Sequence, residues 1–304
     1  MQVGVLGPLR VLIDGTAVPV PAAKQRVVLA ALALRARQVV SAGELAEIIW
    51  DEALPEDPGA AVRNYVMRLR RVLGPGGARV VSRHRGYLLE ASDDEVDALA
   101  FAAACRAGGA AVRAGAWPRA AAVLDEAVAL WRGGPLCDVP SEVLARDEVP
   151  RLERLRVQAA EWRAEAGLRL GGHAELAQEL AELVAAHPLR ERLWVQLMLA
   201  LYLSGRQAEA LTAYQQASDV LAEELGSEPG TELQDVRRRV LAADPRLRDE
   251  RRPGAVRGPG VPRGWRGHWR PAIPDDLRCS HSGPARTGLG GLEAAGAERQ
   301  KAPC

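Results

Sequence analysis

Lysine is almost missing from this chain: Lys24 and Lys301 are the two in 304 residues, against a Lys+Arg total of 40. Neither follows the G-x-x-x-x-G spacing that cradles phosphates, which excludes a nucleotide-hydrolysing loop of that kind. Cysteine is sparse and scattered. Cys105, Cys137, Cys279 and Cys304 form no C-x-x-C pair, so neither a disulfide framework nor a zinc ribbon is expected, and Cys279 and His281 near His268 fit no metal cage. G-x-S-x-G and H-E-x-x-H are both missing, and Gly258, Gly260 and Gly264 follow proline-rich sequence where a dinucleotide fingerprint would need a strand. No catalytic constellation is present, and no cofactor or metal is expected. Long apolar runs are lacking too. The uncharged stretch Leu193 to Gly205 is thirteen residues, short of the ~20 a membrane span needs. No basic segment followed by an apolar run stands at the start, so no signal peptide and a cytoplasmic location are expected.

What is present is apolar residues (48% of the chain) and arginine, unevenly placed. Residues 1–90 carry 12 basic and 8 acidic side chains, residues 91–244 carry 16 and 25, and residues 245–304 carry 12 and 6. Between Pro58 and Leu89 stand seven arginines (63, 68, 70, 71, 79, 83 and 85) and no acid. A field of one sign on so short a segment implies an anionic partner, because a merely solvated face mixes in acids.

The alternating runs Val3–Leu6, Leu9–Ile13 and Ala17–Val20, separated by Gly7-Pro8 and Asp14-Gly15, predict three small strands. From Lys24 the apolar spacing becomes helical, with Val28, Leu29, Leu32 and Ala33 on one face and Arg35 and Arg37 closing the last turn. Ser41 and Glu44 fit a capping box for a second helix with Leu45, Ile48 and Ile49 on its apolar face. Asp57-Pro58 and Gly74-Pro75 bracket a third helix. Its stripe of Val62, Tyr65, Val66, Leu69, Val72 and Leu73 lies opposite Arg63, Asn64, Met67, Arg68, Arg70 and Arg71. Ala78–Arg83 and Tyr87–Glu90 predict a hairpin with a basic tip at His84-Arg85-Gly86. Strands, three helices and a basic hairpin compose a winged helix. A helix anchored by one face and basic on the other is what insertion into a major groove requires.

Val62 to Leu73 and the Gly86-Tyr87 pair resemble the recognition helix and wing of the OmpR/PhoB-type winged helix. Many relatives carry extra small residues before the Gly-Tyr pair, where this chain has Ser82-Arg83-His84-Arg85. Taken together with the helical stretch up to Asp244, residues 1–244 resemble the Streptomyces antibiotic regulatory protein family. The resemblance implies an activator of secondary-metabolite genes that binds direct repeats in double-stranded DNA as two copies and recruits RNA polymerase, with no enzymatic chemistry. It places Arg63, Asn64, Met67 and Arg68 at base edges or adjacent phosphates, with Arg70, Arg71, Arg83 and Arg85 as phosphate clamps and His84 beside them at the wing tip. The acidic loop Asp51 to Asp57 precedes the basic helix, with Asp57 as its cap. In winged helices resembling this one that loop contacts polymerase, so Asp51, Glu52 and Glu56 are expected to face a basic sigma region.

Asp97 to Asp244 reads as all-helical, and Gly115-x4-Ala120, Gly172-x4-Ala177 and Gly205-x4-Ala210 mark a repeat. Trp194, Leu197, Leu201, Gly205, Ala210, Tyr214 and Ala217 match the tetratricopeptide spacing, with an ordinary helical bundle as the alternative. Leu189 to Pro229, with Glu223-Glu224-Leu225-Gly226-Ser227-Glu228-Pro229-Gly230, resembles the bacterial transcriptional activation domain of the same regulators. Residues 245–304 hold eight prolines, ten glycines and eleven arginines without apolar periodicity, so disorder is expected, with Trp265 and Trp269 incidental. The organisation expected is therefore mainly α: a winged helix over 1–92, a tetratricopeptide-like activation domain over 97–244 and a disordered tail. Rival readings are a repeat-type adaptor whose winged domain contacts only protein, and a ligand-sensing regulator.

Overall fold

Asp14 and Gly15 both have positive φ (50° and 81°), a conformation that turns β2 (Arg10–Ile13) back onto β3 (Thr16–Ala17). With β1 (Gln2–Gly4) they form an antiparallel sheet in the order β1-β2-β3. The structure is a computed structural model and describes residues 1–249. Cys279, His268, His281, Trp265 and Trp269 and most of the tail lie outside the described residues.

β1 stops at Gly4, short of the Leu6 expected from the apolar run, because the next residues bond elsewhere. The Val5 and Leu6 amides donate to the Asp97 carboxylate at 2.7 and 3.1 Å, while their carbonyls accept from Leu136 N and Arg132 N at 2.9 and 2.8 Å. The first strand therefore ends as a dock for the helical part of the chain. β3 also closes early, at Ala17.

α1 (Ala23–Leu34) is buried almost all round, from Gln25 to Leu34 with Arg26 half-buried, which makes it the central helix of the first unit. It ends before Arg35, so Arg37 falls outside its last turn and, at φ 64°, pairs with Asp93. β4 (Val40–Ser41) leads into α2 (Ala42–Trp50), whose N-terminus carries the expected capping box between Ser41 and Glu44. α3 (Pro58–Leu73) begins on Asp57, whose side chain accepts from Ala60 N at 2.8 Å, and stops at Gly74. A 3-10 turn over Gly74–Arg79 feeds β5 (Val80–Arg83) and β6 (Gly86–Leu89). The second sheet runs β4-β6-β5, all antiparallel.

The rest is helical: α4 (Asp97–Arg113), α5 (Trp117–Val128), α6 (Glu142–Asp147), α7 (Val149–Leu170), α8 (His173–Ala186), α9 (Glu191–Leu203), α10 (Gln207–Leu225), α11 (Thr231–Leu241) and α12 (Arg246–Asp249). Each glycine of the repeat sits at positive φ between two helices, Gly115 at 68°, Gly172 at 78° and Gly205 at 82°. The alanine five residues on (Ala120, Ala177, Ala210) is buried against the partner helix. Helical hairpins stacked at one repeating turn are the tetratricopeptide arrangement.

Two large apolar cores result, dividing inside α7, with a small third cluster of Ala111, Ala120, Ala121 and Ala166 where α4, α5 and α7 meet. The first runs from Val3 to Ala159 and joins the winged helix to α4, α5 and α6. The second runs from Val157 to Leu247. Nothing separates residues 92 and 97 as a linker would: Asp97 also holds Arg132 at 2.9 Å, Asp138 accepts from Leu9 N at 2.7 Å, and Ser141 Oγ donates to Ile48 O at 2.6 Å. Bonds to a charged carboxylate contribute about 1.5–3 kcal/mol each, and loss of either half-buried acid leaves backbone N–H groups unmet. At the far end Leu247 is 1% exposed, so packing continues past the boundary expected at Asp244.

Candidate nucleic-acid interface

The interface is built on α3. Val62, Val66, Leu69 and Leu73 are buried at 0–1% exposure, and this fixes the rotation of the helix. Arg63, Asn64, Met67, Arg68 and Arg71 all stand exposed on the other side. Met67 is 51% exposed among them. Trp50 at the end of α2 tilts against Tyr65, with ring centroids 5.8 Å apart, and holds α2 to the edge of the stripe.

The wing is fastened on two sides, both by glycines that the apolar pattern does not reveal. A Cβ on Gly77 would lie 2.2 Å from Arg70 O, so the chain leaves α3 pressed against it. A Cβ on Gly86 would lie 2.3 Å from Val40 O, where β6 pairs with β4. Ala42 N donates to Arg85 O at 3.0 Å, which joins the wing tip to the start of α2. The sequence signals for both contacts are the Gly76-Gly77 pair and the glycine beside Tyr87. A two-residue turn at His84-Arg85, with Arg85 at φ 67°, leaves Arg83, His84 and Arg85 exposed at the tip. Arg83 meets Glu90 at 3.2 Å, but both side chains are about half exposed, and such a pair yields readily to a phosphate.

Arg70 is placed differently from its neighbours. Half-buried, it donates from Nε to Val80 O at 2.8 Å and from Nη2 to Ser82 Oγ at 2.9 Å, with its guanidinium 6.0 Å from the Tyr87 ring centre. Arg79, at the base of the wing, forks onto both oxygens of Glu95 at 2.6 Å. The Arg79 fork, helped by the Ser92 amide and hydroxyl, holds the Glu95 carboxyl far below the usual carboxylate range. Of the seven arginines, these two point into the protein's own framework.

Asp51, Glu52 and Glu56 are exposed in the loop between α2 and α3, as is Leu54. Asp51 has φ 52° and closes α2 by donating its N–H to Glu47 O. Arg146 on α6 pairs with Asp147 at 3.1 Å, which raises its pKa, with a smaller contribution from Asp51. The described residues contain no helix long and apolar enough to cross a membrane.

A winged helix with an exposed basic helix face, docked on tetratricopeptide-like hairpins, defines a two-part transcriptional regulator. The comparisons agree. Residues 20–89 match the family model described as "Transcriptional regulatory protein, C terminal", and residues 96–241 match "Bacterial transcriptional activator domain". The regulatory protein DnrI of Streptomyces peucetius is 39% identical over 254 residues, 81% of this chain and 93% of that protein. AfsR of Streptomyces coelicolor is 44% identical over 251 residues; the match covers 81% of this chain and 25% of AfsR, so the chain spans a quarter of that relative's length. The structure of Mycobacterium tuberculosis EmbR in complex with a low affinity phosphopeptide matches at 36% identity with a TM-score of 0.76, covering 80% of this chain and 65% of that one. The chain belongs to the Streptomyces antibiotic regulatory protein family of transcriptional regulators.

Proposed function

We propose that this chain is a sequence-specific DNA-binding activator of secondary-metabolite biosynthetic genes. The observation that supports this best is the face of α3, where Arg63, Asn64, Met67, Arg68 and Arg71 are exposed together while the opposite stripe is buried. Set in a major groove, Arg63, Asn64, Met67 and Arg68 meet base edges, Arg71 meets phosphate, and Arg83, His84 and Arg85 reach the neighbouring backbone or groove. Two copies lie head to tail on direct repeats. The loop with Asp51, Glu52 and Glu56 stands away from DNA and contacts RNA polymerase at a basic sigma region. Work on DNA places the protein in the cytoplasm.

A gel-shift titration against salt tests this. Neutralising several phosphates makes log K fall steeply with log salt, by about 0.9 for each phosphate neutralised. The expected result is such a slope together with a preference for one sequence. An adaptor whose winged unit contacts only protein would show neither.

A further inference from the structure

Among the arginines of α3, Arg70 alone has its guanidinium committed within the protein, and the partners it holds belong to the wing. Nε donates to Val80 O (2.8 Å) and Nη2 to Ser82 Oγ (2.9 Å), both on β5, while the group lies 6.0 Å from the ring centre of Tyr87 on β6. From the other side Gly77 presses on the Arg70 carbonyl so closely that no side chain would fit. One residue therefore touches the reading helix, the turn leaving it and both strands of the wing. A planar fork can do this, because its donors keep fixed directions; a lysine ammonium, one point charge on a flexible stem, cannot meet both acceptors from the Nε position.

We propose that Arg70 is a positioning residue that sets the wing against the reading helix, and so fixes the distance between base reading by α3 and backbone contact by Arg83 and Arg85. This rests on the DNA-binding reading above and changes the part expected for Arg70 within it, from phosphate clamp to internal brace. The two parts differ in what they require. A phosphate clamp needs positive charge and reach, which lysine supplies. A brace needs the fork geometry, which lysine lacks.

The test compares the full chain with Arg70→Lys, Arg70→Ala, Arg85→Ala and the Arg70→Ala/Arg85→Ala double variant. Affinity for a duplex selected by the unaltered protein is measured across a salt series, and amide hydrogen exchange is followed in the free protein. Loss of two hydrogen bonds from a charged donor should lower specific affinity about tenfold in Arg70→Lys and Arg70→Ala alike. The salt slope should fall in Arg70→Lys as it does in Arg70→Ala, because the displaced wing gives up its phosphate contacts in both. The double variant should bind barely worse than Arg70→Ala, because a displaced wing has already lost its Arg85 contact. In the free protein, exchange should quicken over residues 80–89 in both Arg70 variants while residues 62–73 keep their protection, which separates a loosened wing from a failed fold. Near-normal affinity for Arg70→Lys, with a slope lowered by about 0.9 in Arg70→Ala, would restore the phosphate clamp and overturn the brace. Unchanged exchange over residues 80–89 would overturn it too. If the unaltered protein selects no duplex, the DNA reading fails and Arg70's part in it fails with it. The exchange experiment still reports, by itself, whether the fork holds the wing.

Discussion

Arg68 and Arg70 stand two positions apart on one helix in opposite surroundings. Arg68 is exposed beside Met67 and Asn64, while Arg70 turns inward onto Val80 and Ser82. If Arg68 reads a guanine, Arg68→Ala should cost about 1–3 kcal/mol of specific binding and relax preference at one base position, measured on duplexes varied at each position. Full affinity in a normally folded variant would remove the assignment. Glu95 supplies a pH test. Its carboxyl is held far below the usual range, chiefly by the Arg79 fork and then by Ser92. A depressed carboxylate contributes stability that is complete above its unfolded value of about 4.3 and is lost as pH falls through its folded value. Denaturation midpoints at pH 7 and pH 3 should therefore drop more in the unaltered protein than in Glu95→Gln, which starts lower at pH 7. An equal acid loss in both would mean that the Arg79–Glu95 fork adds nothing to stability.

At the level of elements, the helices are legible in the sequence wherever punctuation and periodicity coincide. Asp57-Pro58 and Gly74 bracket α3, and Gly205 with Ala210 marks the α9–α10 turn, because caps and left-handed turns are local requirements written in single residues. The end of β1 is not legible, because it is set by Asp97, Arg132 and Leu136, more than ninety residues away, and alternation in Val3–Leu6 carries no trace of those partners. Arg70 escapes for a related reason. Helical spacing puts it near the basic face, and its commitment to β5 exists only once the wing has folded back. β4 leaves no signal because two residues, Val40 and Ser41, are too short to show a period. The repeat offers a direct test at this scale. Trp194 is 6% exposed and donates from Nε1 to Pro188 O at 2.8 Å. Trp194→Ala should cost about 3–5 kcal/mol through the cavity it leaves, read as a lowered unfolding midpoint of the whole chain. An unchanged midpoint would contradict the packing of α9.

Across the whole molecule, the winged helix and the first helical hairpins share a core that runs from Val3 to Ala159, so the two units are joined through packed side chains. Ser141 ties α6 to the end of α2, immediately before the acidic loop. That contact places the acidic loop at the seam of the two units. Changing Asp51, Glu52 and Glu56 together to Asn or Gln should leave operator affinity intact or slightly higher, through reduced repulsion of phosphate, while transcription from a promoter carrying the site falls severalfold. Equal transcription at saturating occupancy would move the polymerase contact elsewhere. Asp57 stays untouched in that variant because it caps α3. Everything proposed for the molecule depends on α3 reading a sequence. The decisive measurement is to expose the full chain to a pool of random duplexes, sequence what it retains, and footprint the winner. Retained duplexes should carry two copies of one short motif in the same orientation, about one helical turn apart, with protection over both. A retained pool with no shared sequence, bound equally whatever the duplex, would contradict it.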